Sequence, residues 1–260
     1  MYNKVLYEEL LPEEFIGIIN SCPVAYLPLG TLEWHGEHLP LGADGLQAKG
    51  FFIRLAKRVG GIVLPMLFLG PDSSENINGM EFYGMDIESF EHGYPQQLAG
   101  SSYWVEDEKF RSIIDSILSN LARAGFKIVV AHGHGPSTDM LISNSSYFEK
   151  KYGLKLMTLW DESVEKDYGI QTDHAAFNET SLMFALRPDL VHMEKIDGDT
   201  VPVGLMGKDP RGSASEKEGE EIIEINLSIM EKKLMELLLH ISWDKKSICF
   251  NNVKNLIKVL

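Results

Sequence analysis

The 260-residue chain predicts an α/β protein, a three-layer α/β/α sandwich around a mostly parallel central sheet. Two patterns carry that expectation. Short apolar runs suited to strands covered on both faces recur at 24–29, 62–69, 127–131 and 154–159, each bounded by glycine, proline or polar residues. Segments with helical periodicity lie between them, and such alternation yields a parallel sheet with right-handed crossovers and helices on both faces.

In chain order, 24–29 reads as the first buried strand and 46–59 as a helix stopped by Gly60-Gly61. The strand 62–69 follows. Residues 70–102 are polar and glycine-rich, too long for an ordinary connection, and read as a site-covering loop or a subunit contact. In 106–124 Phe110, Ile113, Ile114, Ile117, Leu118 and Leu121 form one apolar stripe that ends before Gly125, the pattern of an amphipathic helix. After the strand 127–131, helices are expected at 136–152 and 179–186, with the strand 154–159 between them. Ile223, Leu227, Met230, Leu234, Leu237 and Ile241 recur at three and four, so 215–240 forms a long helix packed on one sheet face. Its start, 213–224, is solvated. The tail 244–260 carries Ile248, Phe250, Val253, Leu256, Ile257 and Val259 and is expected to dock on the body or on a neighbouring subunit. The whole chain, 1–260, is expected to form one domain.

Composition narrows the function. With 24 Lys and Arg against 38 Asp and Glu, the net charge of −14 gives no attraction for nucleic acid or an anionic membrane surface. The N-terminus lacks an apolar leader and no apolar run is long enough to span a bilayer, so a cytoplasmic protein is expected. Cys22 and Cys249 lack metal or disulfide spacing and read as small buried apolar residues.

Three clusters carry chemistry. The run Glu33-Trp34-His35-Gly36-Glu37-His38-Leu39-Pro40-Leu41-Gly42-Ala43-Asp44 directly follows the first strand. Glu33 and His35, two apart in extended backbone, leave on the same side, and Gly36 permits a sharp turn. Asp44, just before a helix beginning near Leu46, returns to the same point, where its two oxygens can serve two cations. His132-Gly133-His134-Gly135-Pro136-Ser137 follows another strand end, and Asp173-His174 with Glu179 supplies a further imidazole and carboxylate. Carboxylates and imidazoles at strand ends point to a metallohydrolase. His132, Ser137, His92 and Trp104 are candidates for substrate contact.

The motif Glu33-x-His35-Gly36-x-His38-Leu39-Pro40 with Asp44, then Gly133-His134-Gly135, His174-Ala175 and Glu179-Thr180-Ser181, resembles the creatininase (creatinine amidohydrolase) family. Residues 204–211 and 214–219 are similar to that family's closing motif before its last helix. The resemblance runs from about residue 24 to the final helix. It implies an α/β/α sandwich with two divalent metal ions, zinc or manganese, iron being compatible with the same donors, and a homo-oligomer, often a hexamer in the family. Glu33, Asp44 and His134 resemble the ligands of one metal, and His35 with the bridging Asp44 those of the other. Glu179 is a candidate to complete that second site and to act in catalysis. His174 resembles the histidine that assists proton transfer. The implied reaction is hydrolysis of a small polar substrate through a metal-bridging hydroxide, opening a cyclic amide or cleaving a non-peptide C–N bond.

The chain departs from the family at Pro136, where creatininase proper places a carboxylate ligand and many members carry Gly. Proline binds no metal, so the second site must draw its carboxylate from elsewhere. That turns the expectation away from creatinine itself and keeps a formylamide, or an oxidised inositol ring ketone, as alternative substrates. A metal-free serine hydrolase using Ser137, His174 and an Asp is disfavoured because 134–139 is not a G-x-S-x-G elbow. A non-catalytic binding protein is disfavoured by the joint presence of Glu33, His35, Asp44, His134 and Glu179.

Overall fold

Strand β1 (Val24–Gly30) is buried along its entire length and lies inside the sheet rather than at its edge. The computed structural model describes residues 4–88, 96–196, 198 and 202–241. Within them β2 (Ile62–Val63) and β6 (Ile128–Gly133) flank β1, both parallel to it, and β7 (Lys155–Met157) pairs parallel with β6. The order is β2-β1-β6-β7, and a short β3 (Leu67–Phe68) pairs with the end of β1 at Leu29 and Gly30.

Alternation along β1 builds both cores. Val24 and Tyr26 pack with Phe51, Phe52 and Leu55 of α2 (Ala43–Val59), Leu182 of α7 (Phe177–Leu186) and Ile222, Ile223 and Leu227 of α8 (Glu216–His240). Ala25, Leu27 and Leu29 turn the other way. They meet Ile18 and Ile19 of α1 (Pro12–Ser21), Phe110, Ile114 and Leu118 of α4 (Asp107–Ala124), Leu141 of α5 (Gly135–Ser143) and Phe148 of α6 (Ser145–Tyr152). The result is the expected α/β/α sandwich, its apolar strands covered on both faces.

Several boundaries differ from the sequence expectation, each for a local reason. The strand expected at 62–69 is cut in two at Leu64 to Met66, where Pro65 has no N–H to give to a ladder. The helix expected at 136–152 breaks at Asn144, whose side chain donates to the Met140 carbonyl at 2.8 Å and so competes for the helix end. Helix α2 starts at Ala43 rather than near Leu46, which puts Asp44 in its first turn. Helix α7 likewise starts two residues early, at Phe177, and takes Glu179 into its first turn. The stretch 70–102 is not a plain loop: β4 (Ser74–Ile77) and β5 (Met80–Tyr83) form a hairpin, followed by a short α3 (Met85–Glu88). Asn78 and Gly79 at its tip have φ of 54° and 86°, the Asn-Gly turn whose twist suits a two-residue hairpin. Cys22 is buried as expected. His92, Cys249 and the tail 244–260 lie outside the described residues, and no helix among the described residues is long and apolar enough to cross a membrane.

The register Leu29↔Gly133 aligns the carboxyl ends of β1 and β6, the edge where open α/β sheets gather their ligands. Gly133 fixes that alignment. Its φ is +145°, and a β-carbon there would stand 1.6 Å from the Leu29 carbonyl oxygen. Gly133→Ala is therefore expected to cost about 3 kcal/mol or more, since strained φ and overpacking add; urea denaturation reads this, and a loss under about 1 kcal/mol would contradict it.

Candidate metal centre

Past the end of β1 the chain folds back on itself, with the Glu33 N–H donating to the Leu41 carbonyl at 2.9 Å. That closure brings Glu33, His35 and the first turn of α2 together. His35 is fully buried, and its Nδ1 lies 3.0 Å from the Glu33 carbonyl oxygen. A carbonyl only accepts, so Nδ1 carries the ring proton and Nε2 faces Asp44 Oδ1 at 3.2 Å and Glu179 Oε2 at 3.7 Å. His134 is pinned in the same manner. Its Nδ1 meets Ser137 Oγ at 3.1 Å, while Nε2 faces Glu33 Oε2 at 3.8 Å and Asp72 Oδ2 at 3.1 Å. Both imidazoles thus turn one nitrogen toward the carboxylates, with the other held from behind, as metal-ligating histidines are.

The donors fall into overlapping groups whose ligand atoms lie within 4.8 Å of one another: Glu33, Asp44 and His134; His35, Asp44 and Glu179; and Glu33, His35 and His174. Asp44 belongs to the first two. Its Oδ1 faces His35, whereas Oδ2 is buried and has no hydrogen-bond partner. An orphaned carboxylate oxygen among buried donors is the fit expected of a cation site.

The proton affinities reflect the crowding. Burial pushes Glu33 up to about 7 against the pull of His134 and His35, and burial likewise raises Glu179 well above the usual carboxylate range. Burial opposes charge on His35, but Asp44 in contact with it, with Glu179 and Glu33, lifts it to about 10. For Asp44 burial is likewise outweighed, here by His35, which holds it below its ordinary value. Burial disfavours charge on His134 too, yet the Asp72 hydrogen bond and the neighbouring carboxylates raise it.

A cavity of about 330 Å³ opens onto these groups, lined by Glu33, Asp44, Asp72, His134, Pro136, Gln171, Asp173, His174 and Glu179 among others. His174 stacks on His35 with ring centroids 4.2 Å apart, and its Nε2 donates to the Trp34 carbonyl at 2.8 Å, leaving Nδ1 unprotonated. Burial, then the neighbouring His35, lowers His174 to about 3. Asp173 accepts from the Glu179 N–H at 3.1 Å and the Asn178 N–H at 2.7 Å, which anchors the start of α7.

Other residues expected to contact substrate sit elsewhere. His132 is fully buried behind the site, its ring nitrogens engaged by Thr158 Oγ1 at 2.8 Å and the Ile170 carbonyl at 3.2 Å, and burial lowers it to about 4. Substrate contact does not fit that position. Ser137 is also buried, with Oγ committed to His134, so its place is that of a support for the ring. Trp104 stands between, stacked on Tyr83 and 6.0 Å from the His134 ring, on the wall of a neighbouring hollow that shares Asp72 with the main cavity. Two site residues were not singled out from sequence. Asp72 hides in the polar stretch 70–102, and Gln171, whose Nε2 donates to the Asp44 carbonyl at 3.1 Å, lies in an irregular segment with no periodic pattern.

The family model for creatininase, described as creatinine amidohydrolase, matches residues 8–228. The chain belongs to the creatininase family. It is a metal-dependent amidohydrolase by that membership. A creatinine amidohydrolase of Pseudomonas putida is 25% identical over 217 residues, 75% of this chain and 77% of that protein. A manganese form of creatininase superposes with a TM-score of 0.68 at 23% identity, covering 90% of this chain and 98% of the other. A creatininase variant complexed with creatine gives 0.69 at 23% identity over the same shares. Such low identities speak for a shared fold, and the creatininase-family α/β/α sandwich is the one found here.

The His35 environment has a consequence for metal-free protein. A group that holds its proton more tightly folded than unfolded gives stability that is complete below the unfolded value, about 6.5 for His, and is lost as pH rises toward about 10. Glu33 acts in the same sense up to about 7. Chelator-treated protein is therefore expected to lose Tm between pH 7 and 10, whereas metal-saturated protein holds its Tm because a cation replaces the proton. Thermal melts followed by circular dichroism check this, and His35→Asn flattens the metal-free profile.

Proposed function

We propose that the cluster is a two-cation centre that hydrolyses the C–N bond of a small polar substrate, most simply by opening a cyclic amide. The observation that carries this reading is Asp44: it is shared by two donor groups, one oxygen toward His35 and the other buried without a partner. Oxygen and imidazole donors suit zinc and manganese. Glu33, Asp44 and His134 hold one ion; His35, Asp44 and Glu179 hold the other. Divalent cations at these positions supply activation of water and polarisation of a carbonyl near neutral pH.

The chain's own residues do the rest. Pro136 lines the cavity at the start of α5 and offers no donor, while Glu179 reaches the same space from the first turn of α7. His174 offers an Nδ1 without a proton on a ring fixed by the Trp34 carbonyl, and it is the candidate to relay a proton from the attacking water to the leaving nitrogen. The cavity of about 330 Å³ lies at the small end of ligand sites, in keeping with a substrate of the size of creatine, the molecule bound by a structural relative. The reading includes a cytoplasmic, homo-oligomeric enzyme; a single-chain mass by light scattering would remove its oligomeric part.

Protein purified without chelator and loaded with zinc or manganese, assayed against creatinine, lactams, formylamides and ring ketones, tests this. Turnover of a cyclic amide is expected, and protein that binds no divalent ion would sink the reading. Asp44→Asn is expected to lose both ions and Glu179→Gln one, each with about 10³-fold lower kcat/KM. Ser137→Ala, which loosens only the His134 ring, is expected to cost about 10–100-fold; a loss near 10⁶-fold, on the scale of removing a nucleophile, would favour a serine hydrolase instead.

A further inference from the structure

The side chain that completes one half of the centre comes from outside the α/β core. We propose that Asp72 is a fourth protein ligand of the cation held by Glu33, Asp44 and His134, so that protein donors close this position while the His35, Asp44 and Glu179 position keeps a place for water and substrate. The inference rests on the two-cation reading and goes beyond it in assigning Asp72. Four donors fill a tetrahedral zinc site, and three leave one position open.

The geometry points there from several sides. Asp72 Oδ2 lies 3.1 Å from His134 Nε2, the nitrogen left over once Nδ1 engages Ser137. Asp72 Oδ1 is occupied, accepting from the Ser73 N–H at 2.7 Å and Ser73 Oγ at 3.3 Å, which orients the carboxylate with Oδ2 inward. Gly84 makes room for this approach. A β-carbon on it would stand 2.6 Å from both Asp72 Oδ2 and Glu33 Oε1, so two carboxylates crowd one glycine. No Lys or Arg offsets them among the described residues, since the cavity is lined by Glu33, Asp44, Asp72, Glu88, Asp173 and Glu179 and the nearby bases are imidazoles. Independently of Asp72, the orphaned Asp44 Oδ2, on a residue 4% exposed, has no hydrogen-bond partner among the described residues.

The position of Asp72 adds a mechanical consequence. It stands two residues before β4, and Gly84 follows β5; the Gly84 N–H donates to the Ser73 carbonyl at 3.0 Å and closes the base of the hairpin. The Met85 N–H donates to Glu33 Oε1 at 3.2 Å. A cation bound by Glu33 and Asp72 therefore ties the hairpin to the end of β1, and its removal loosens the hairpin.

Asp72→Asn in the full chain tests this, because Asn retains an oxygen for Ser73 and loses the charge. Zinc per chain and chelator competition are measured with Glu33→Gln as reference, and limited proteolysis at the hairpin tip follows its attachment. The expected result is that wild type holds two ions, that Asp72→Asn weakens the ion Glu33→Gln also weakens, by about 100-fold or more, with the other unchanged, and that zinc-loaded Asp72→Asn is cut as fast as chelator-treated wild type. Wild type holding two ions, Glu33→Gln losing one and Asp72→Asn keeping both at wild-type affinity overturns the Asp72 assignment alone. Wild type holding none overturns the two-cation reading with it. A zinc-loaded wild-type crystal needs no variant: Asp72 Oδ2 within about 2.2 Å of the ion supports the assignment, and a carboxylate turned away from the ion overturns it.

Discussion

Mutual repulsion among buried carboxylates is the constraint around which the centre is built. Glu33, Asp44 and Glu179 are each less than a twentieth exposed, and among the described residues no Lys or Arg lines their cavity, so the charge they meet comes from the imidazoles of His35 and His134, turned nitrogen-first toward them. Removing an ion from water costs several kcal/mol even after relaxation, and carboxylates that share a cavity raise that cost for one another. The proton affinities of the metal-free site show the strain resolved by protons: Glu33 and Glu179 hold them past the usual range and His35 holds one far longer than an exposed histidine. Cations relieve the same strain without neutralising the donors. The supports for the donors follow from this, because a ring whose far nitrogen is fixed by the Glu33 carbonyl or by Ser137 cannot turn away from the crowd.

The framework that withstands the crowding is apolar and close at hand. Tyr26, Phe51, Phe52, Phe110 and Phe148 are wholly buried on the two faces of β1 and its neighbours, and each such side chain contributes about 1.5–3 kcal/mol by leaving water. Helix α8 is further held on α2 by Arg54 with Glu220 and by Arg58 with Glu224 and Glu231, pairs whose partial exposure limits them to a minor share. Stability is thus spent at the strand ends and recovered in the body of the sheet. Rigid strands also set the spacing: the β1 to β6 register holds the backbones bearing Glu33 and His134 at one edge, where loops alone would let the donors drift.

What the sequence could reveal follows the same division. Buried strands and amphipathic helices announce themselves because their periodicity is the physical condition for covering a sheet, and the stripe from Phe110 to Leu121 is such a case. Glu33, His35, Asp44, His134, His174 and Glu179 were legible because they cluster at strand and helix ends with motif spacing. Asp72 was not, since a lone acid in a polar stretch resembles any solvated acid until the hairpin folds back and delivers it. His132 misled for the converse reason. It was read by the same rule as His134, but His132 still lies inside β6 and turns inward to Thr158 and the Ile170 carbonyl, whereas Gly133, at a φ of +145°, breaks the extended alternation that would have put both rings on one side.

Pro136 bears on the choice of substrate through the charge of the cavity. Proline suits the first turn of α5, where its missing N–H would have had no helical partner, and a carboxylate in its place would have set a further negative charge against Glu179 in the cavity both residues line. Proline there avoids that opposition and leaves Glu179 as the carboxylate beside His35 and Asp44. The lining still carries Glu33, Asp44, Asp72, Glu88, Asp173 and Glu179, without a Lys or Arg among the described residues. Six carboxylates, when ionised, outweigh the four positive charges of two divalent ions, so the mouth stays negative even with metal bound. An anionic substrate would meet a like field on approach and find no guanidinium or ammonium to receive it. A neutral or cationic small amide meets neither obstacle, which is why charge as well as donor geometry directs the reading toward a compact, uncharged or basic C–N compound.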